Sequence, residues 1–400
     1  MDNKISHGLL LLMAIAGGAT VANNYYCQPI LLVVADDLKI SVDKVGYMPL
    51  LSQLGYGLGL FLLVPLGDKV NRKGLIFLLM MSLSGVLLLM FLSKTALPLM
   101  IGSFFIGCLS VSAQVVVPMA SRIDPENKDK TVSVLLLGML VGILMSRILS
   151  GYLAQWVGWR YVYLFSALLI LLLGFLLQWK LPILKQDFSG NYSHLLGSTL
   201  RQFTEFPLLR RTALLGALSF GIFCSFWTTL TFHLSGAPFY YNSGTIGLLG
   251  IVSIIGGLLA RPFCRYIEKS GSKLMVLFWS VLILLATVIL VKLFADTIFI
   301  FILAAILLSM TMQSIHVTNI ARIFSLNPEA VSRINTVYLV SYFTGGASGT
   351  FVGVQCWKYG GWPLVALQMI LFASLALLLI LGSEYRRRIV KFFILRKKLK

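Results

Sequence analysis

Apolar runs of about twenty residues alternate with short polar turns along nearly the whole chain. Twelve such segments can be drawn, at 8–34, 45–66, 74–93, 96–119, 131–154, 161–181, 211–235, 244–263, 274–294, 297–321, 334–356 and 362–382. Each matches the roughly 20 residues that a helix needs to cross a hydrocarbon core of about 30 Å. The pattern predicts an all-α membrane protein with twelve transmembrane helices. One stretch breaks the apolar rhythm: "ATVANNYYCQPILL", residues 19–32, sets two asparagines, two tyrosines and a glutamine inside the first span. Each of those side chains needs a partner to be tolerated in lipid.

Composition agrees with the pattern. Of 400 residues, 58% are hydrophobic and 12% charged, about half the charged share of soluble domains. The five cysteines are scattered and odd in number, so neither a disulfide framework nor a metal site is indicated, and no cofactor is implied. The first segment is long, contains Pro29 and lacks a small-residue cleavage site, which argues against a secretory signal. The net charge of +19 could suggest a nucleic-acid partner, but its distribution points elsewhere. On the side carrying both termini stand 26 Lys and Arg, against six on the other side and Arg147 within a helix. By the positive-inside rule both termini are expected in the cytoplasm of an inner-membrane, multi-pass protein. The tail "EYRRRIVKFFILRKKLK", residues 384–400, is expected to meet anionic lipid.

The chain also repeats itself. "GDKVNRKG" after the second segment carries Asp68, Lys69, Arg72 and Lys73, and "EKSGSKLM" after the eighth carries Glu268, Lys269 and Lys273, at an offset of 200. "SRIDPE" at Arg122 matches "ARIFSLNPE" at Arg322 at the same offset, and "WVGWRYVY" at Trp159 matches "YGGWPLVA" at Trp362 at 203. Two pseudo-symmetric bundles of six helices are expected at 1–181 and 211–383, joined by a polar cytoplasmic linker at 182–210. This arrangement resembles the major facilitator superfamily, in which rocking halves give alternating access to a site near the midplane. The loop after the second segment resembles that superfamily's G-x-x-x-D-R-x-G-R-R signature, with Val64 and Asn71 replacing two glycines. Asp68, Lys69, Arg72, Lys73, Arg122, Glu268, Lys269 and Arg322 are thus candidates for a charged cytoplasmic gate; ordinary topology charges are the other reading.

"ANNYYCQPIL", "GWRYVY", "QSIHVTNIARIF" and "SRINTVYLVSYFTGGASG" narrow the resemblance to a bacterial branch related to drug and metabolite efflux permeases. The resemblance implies a secondary transporter and names no substrate. Two departures bear on mechanism. Where antiporters carry G-x-x-x-G-P-x-x-G-G, this chain reads "GILMSRILSG", with Arg147 in the place of proline. Where R-x-x-Q-G is expected, at residues 103–107, only Gly107 survives.

None of the fourteen acids falls in the middle of a segment, so no embedded carboxylate is available as proton carrier or cation partner. The embedded charge is Arg147, and the embedded titratable group is His316. A guanidinium in a span is costly, and its planar fork suits a carboxylate or phosphate. Arg147 either binds an anionic substrate or props helix 5 by bonding neutral groups. His316, with Gln313 and Asn319 one turn either side, is the first candidate for a proton site, against a packing role; Asp36 and Asp37 follow. His233, near the outer end of the seventh segment, is expected to be interfacial. Helical spacing sets Asn24 with Gln28 on one face of helix 1 and Asn23 with Tyr26 on the next. Gln53 with Tyr56, and Asn335 with Tyr338 and Tyr342, form further stripes, with Gln114 and Trp227 as added cavity candidates.

No phosphate-cradling loop and no HExxH motif occurs, so the reading is a transporter rather than an enzyme. Proton-coupled export of a small organic solute by a monomer is expected first, on resemblance. Import or exchange of an organic anion such as a polycarboxylate or siderophore, held by Arg147, is the second reading. A non-transporting receptor is the third, and the charged gate repeated in both halves argues against it.

Overall fold

The structure, a computed structural model, describes residues 5–184, 192–270, 272–327 and 330–398, with backbone only at 270 and from 383 onward. The side chains of the basic tail lie outside the described residues, as do linker residues 185–191. The described residues are helical apart from turns and short loops. The first half comprises α1 (His7–Ala22), a 3-10 turn (Gln28–Ile30), α2 (Leu31–Asp37), α3 (Val42–Val45), α4 (Tyr47–Lys69), α5 (Arg72–Leu92), α6 (Ala96–Leu109), α7 (Ser112–Ile123), α8 (Lys128–Trp156) and α9 (Trp159–Lys180). After α10 (Tyr192–Glu205) come α11 (Pro207–Ser235), α12 (Ser243–Ser270), α13 (Lys273–Leu293), α14 (Ile298–Ile323) and α15 (Val331–Lys398).

Ten stretches among the described residues are long and apolar enough to cross a membrane. One of them, Val331–Gly382, is 52 residues long. Drawn straight it would reach about 78 Å, more than two hydrocarbon cores. It bends at Gly360 (φ −152°, ψ 17°) and Gly361 (φ 57°, ψ −154°). The positive φ of Gly361 suits a residue without a Cβ, and Pro363 follows where a new helix has no use for its missing N–H. Sequence segments 334–356 and 362–382 are the two limbs of this bent helix.

The opening span also departs from a plain helix, and its polar residues are the reason. Pro29 lacks the N–H that a continuous helix would direct to Tyr25, and its ring crowds that carbonyl. Asn23 Nδ2 donates to the carbonyls of Ala19 at 2.9 Å and Thr20 at 3.2 Å, and Asn24 Nδ2 donates to Val21 O at 3.3 Å. Asn23 Nδ2 thereby takes the Ala19 carbonyl that the Asn23 N–H would reach in a continuous α-helix. The N–H groups of Asn23, Asn24 and Tyr25 bond instead to Thr20, Val21 and Ala22 O three residues back, so α1 stops at Ala22 and the chain re-enters α-helix at Leu31. Residues 23–27 form the turn between them.

Two apolar cores organise the molecule. One is built from residues between Leu10 and Leu181, with Phe232 and Val354 reaching in from the second half; the other runs from Leu209 to Ile380. They meet along α4 against α15 and α8 against α12. The α8–α12 crossing is close because Gly247 has no side chain: a Cβ there would lie 2.5 Å from the Arg147 carbonyl. At the end of the bundle away from the termini the halves are tied by three hydrogen bonds and an ion pair. Thr231 Oγ1 donates to Gln28 O at 2.9 Å, Ser243 Oγ to Gly151 O at 3.1 Å and Gln355 Nε2 to Tyr47 OH at 2.7 Å, and Lys358 pairs with Asp43 at 3.3 Å. Toward the termini, Tyr56 packs on Phe343 with ring centroids 4.4 Å apart. Below that layer α10 lies across the mouth, its Tyr192 OH donating to Leu62 O. Between α10, α4, α7 and α15 lies a cavity of about 410 Å³ lined in part by Asp68, Arg72, His194 and Arg333.

Candidate functional site

The centre of the interface between the halves is built around one buried cation. Arg147, on α8, is 1% exposed. Its Nε donates to Gln28 Oε1 at 2.9 Å, across the first half to the broken opening span. Its guanidinium carbon lies 4.3 Å from the Trp227 ring centroid, 5.2 Å from that of Tyr25 and 5.9 Å from that of Phe223. No ion pair reaches it among the described residues, and Nη1 and Nη2 are both buried without a hydrogen-bond partner. A charge-assisted hydrogen bond contributes about 1.5–3 kcal/mol and a desolvated cation–π contact about 2 kcal/mol. Together these can offset an insertion cost of about 2.5–3.5 kcal/mol while leaving the terminal fork unused. An end-on pair of guanidinium N–H donors suits a carboxylate or other oxyanion.

The break in the opening span decides which of its polar residues reach this cation. Asn24 and Gln28 share a face in a continuous helix; with residues 23–27 in a turn, they diverge. Asn24 Oδ1 accepts from Ser52 Oγ on α4 at 2.8 Å, while Gln28 goes to Arg147. Asn23 Oδ1 accepts from Ser166 Oγ on α9 at 2.7 Å, so both asparagines are bonded within the first half. Tyr26 turns into that half's core and borders an apolar groove between α1, α8 and α9. Tyr25, its neighbour, is the tyrosine under the guanidinium.

A second cluster lies along α14 and α15. His316 Nδ1 is 3.2 Å from Tyr338 OH, and its ring centroid is 4.8 Å from that of Tyr342. Tyr342 OH donates to Met312 Sδ at 2.7 Å and its ring stacks on Phe220 at 4.0 Å. Phe220 in turn stacks on Phe223 at 6.1 Å, so one aromatic run joins the histidine to the arginine. Asn319 Nδ2 donates to Thr212 O on α11 at 3.3 Å; Gln313 and Asn335 are half-buried. Gln53 Oε1 accepts from Thr350 Oγ1 at 3.2 Å, and Gln114 Nε2 donates to Tyr56 OH at 3.2 Å, both at the α4–α15 side of the interface.

The remaining candidates stand apart from this centre. Asp36 pairs with Lys39 at 3.4 Å on the exposed surface, and Asp37 accepts from Arg160 Nη1 at 2.7 Å and Trp159 Nε1 at 3.1 Å. Partial burial pushes the Asp37 carboxyl up, but its bonds to the Trp159 indole and the Arg160 guanidinium outweigh this and hold it below the usual carboxylate range. His233 Nε2 is 2.8 Å from Ala295 O and its ring stacks on Trp362, a packed position. At the termini end Arg72 Nη2 bonds Asp68 at 2.5 Å and its Nε donates to Gly67 O at 3.0 Å, with Arg122 within electrostatic reach. Lys69 and Lys73 are half-buried beside them. Glu268 and Lys269 are exposed on α12, and Arg322 lies near the end of α14, where Lys273 Nζ donates to Ala321 O at 3.4 Å.

Two residues at the centre escape the sequence reading, and a third, Tyr25, is expected from the sequence only to pack or stack beside the path. Phe223 was hidden among the apolar residues of α11, although it lies one turn from Trp227 and so shares its face. Thr231 looks like any helical threonine, and its tie to Gln28 O depends on the break in the opposite half.

Comparison with known proteins agrees with this architecture. The family model described as Major Facilitator Superfamily matches residues 13–260. The uncharacterized transporter YgaY of Escherichia coli O157:H7 is 36% identical over 368 residues, covering 92% of this chain and 93% of that protein. Among solved structures, the nucleoside transporter NupG superposes with a TM-score of 0.73 at 13% identity, over 93% of this chain and 98% of that one. A bacterial homolog of the human lysosomal transporter Spinster, inward-facing and occupied, gives 0.70 at 11% identity, over 94% and 96%. The chain therefore belongs to the major facilitator superfamily and is a multi-pass membrane transporter with bacterial relatives.

Proposed function

We propose that this transporter moves a small organic anion across the inner membrane by alternating access, with Arg147 as the anchor for the anionic group. The observation that carries this reading is the buried guanidinium whose Nη1 and Nη2 have no partner, with no carboxylate bonded to it among the described residues. Gln28, Tyr25, Phe223 and Trp227 form the wall around it. The opening span, broken at 23–27, and the two limbs of α15 bring the count of crossings to twelve, and the excess of Lys and Arg at the termini end makes that end cytoplasmic. The end tied by Thr231, Ser243, Gln355 and Lys358 is then the outer gate. Asp68 with Arg72 belongs to the cytoplasmic one.

Export coupled to proton entry is the direction that the efflux-permease motifs support, and His316 is the proton site within the aromatic run. One charge moved through 100 mV supplies about 2.3 kcal/mol, which sustains roughly fifty-fold accumulation. The test is flux in proteoliposomes under an imposed pH gradient, comparing benzoate, succinate and citrate with tetraphenylphosphonium. Carboxylate flux that collapses in Arg147→Ala is the expected result; carboxylate flux untouched by that change refutes the anion reading. In His316→Gln, carboxylate exchange is expected to persist while pH-driven accumulation is lost.

A further inference from the structure

Gln28 makes contacts in two directions from one residue. Its side-chain Oε1 accepts from Arg147 Nε at 2.9 Å, within the first half. Its main-chain carbonyl accepts from Thr231 Oγ1 at 2.9 Å, across to α11 of the second half. Gln28 itself is 2% exposed and heads the short 3-10 turn between the break and α2. The turn is joined to α1 by residues 23–27, where single i→i+3 bonds replace the α-helical ladder, and this weaker stretch is the place where α2 can bend relative to α1.

We infer that Gln28 is a positioning residue that ties the orientation of Arg147 to closure of the outer gate. This rests on the reading of Arg147 as the anion anchor. A guanidinium can hold a carboxylate side-on through Nε and one Nη, or end-on through both Nη groups. Gln28 occupies Nε, so it leaves the end-on pair and fixes the plane of the fork. When the outer gate opens, the Thr231 bond parts and the turn leaves α11. The Gln28 side chain then withdraws from Arg147, and the fork loses the acceptor that orients it. The anion is held in the closed state and loosened as the gate opens outward. By linkage, the bond between Gln28 and Arg147 must favour gate closure to the same degree, even with no ligand present.

That reciprocity gives a test without knowledge of the substrate. Spin labels carried by noncanonical amino acids at positions 44 and 359, both exposed at the outer end on opposite halves, report the gate by their distance distribution in lipid. Gln28→Leu keeps the carbonyl and removes only the side-chain acceptor. It is expected to raise the open-to-closed ratio about tenfold, the effect of one charge-assisted hydrogen bond. Thr231→Val is expected to raise it roughly three-fold, the effect of one neutral bond. Gln28→Glu restores an acceptor, so the gate should close as in the wild type. Benzoate flux should nevertheless fall at least tenfold, because the new carboxylate occupies the cation. Gate populations in Gln28→Leu equal to the wild type overturn the inference, as does Gln28→Glu leaving the gate as open as Gln28→Leu. Failure of the wild type to carry benzoate, succinate or citrate overturns the anion reading instead, and leaves the ligand-free gate measurement to judge the coupling by itself.

Discussion

The span that opens the first half breaks at residues 23–27, whereas α11, which opens the second, runs unbroken through 29 residues. Both carry polar groups within an otherwise apolar run. In α11 these are hydroxyls, and several fold back onto their own helix: Ser219 Oγ donates to Leu215 O at 2.8 Å and Thr229 Oγ1 to Ser225 O at 2.7 Å. A hydroxyl adds a bond to a carbonyl already in the ladder and leaves the helix intact. In the opening span the polar groups are amides with a proline behind them. The Asn23 amide takes the Ala19 carbonyl that its own backbone N–H would reach, and Pro29 offers no N–H to continue. The result is a division of labour. The broken span contributes an amide, Gln28, and the unbroken helix a row of aromatic faces, of which Phe223 and Trp227 lie against Arg147.

If the cation is present for binding, removing it should harm transport and help the fold. Arg147→Met replaces an incompletely bonded buried charge with an apolar chain of similar length. Replacing buried ionic groups by packed apolar ones is neutral or stabilising by about 1–4 kcal/mol. Carboxylate flux should fall by at least about a hundredfold, the loss of a charge-assisted bidentate contact, while the midpoint of thermal unfolding in detergent holds or rises. A variant that loses both flux and stability would make Arg147 a structural prop.

Restoring the missing ladder tests the break itself. Pro29→Ala with Asn24→Leu brings the opening span closer to α11, which has no proline after its first residue and no side-chain amide. Flux is expected to fall about tenfold as Gln28 is carried off the Arg147 side, and amide exchange at residues 23–28 should slow. Trp227→Leu probes the rigid wall from the other side. Loss of a desolvated cation–π contact of about 2 kcal/mol should raise KM by roughly thirty-fold, with kcat less affected. Trp227→Phe should recover most of this.

Much of the architecture could be read along the chain. Apolar length marked the spans, and the repeat of Asp68, Lys69 and Lys73 at Glu268, Lys269 and Lys273 pointed to two halves, because both signals are local and periodic. Arg147 and His316 stood out because a charge or an imidazole in lipid demands explanation. What escaped depended on geometry that one irregular turn creates. Spacing along an ideal α-helix paired Asn24 with Gln28, yet residues 23–27 form i→i+3 turns with a different angular spacing, so Asn24 bonds Ser52 and Tyr25 rather than Tyr26 meets the guanidinium. The tie from Thr231 to Gln28 O is unreadable because its acceptor is a main-chain carbonyl, which carries no residue identity. Pro29 was the available clue, and its consequence for every face downstream is what the helical reading left out.

The smallest expected effect lies at the outer anchors of the same two helices. The anchor of α11 is His233 against Ala295 O and Trp362; that of α2 is Asp37 against Arg160 and Trp159. The Asp37 side chain is 43% exposed, so solvent screens the pair and its contribution is about 0.5–1 kcal/mol. Because the folded state holds this carboxyl below its unfolded value, the stabilisation is complete at neutral pH and fades as pH falls through the folded value. Asp37→Asn should therefore lower the unfolding midpoint by only a degree or two at pH 7. The difference from the wild type should shrink toward zero as the carboxyl protonates in acid. A difference that grew with acid would mean that the charged form is not the one the fold stabilises. An unchanged carboxylate flux in Asp37→Asn is expected as well, since this anchor holds the end of α2 and touches neither Gln28 nor Arg147.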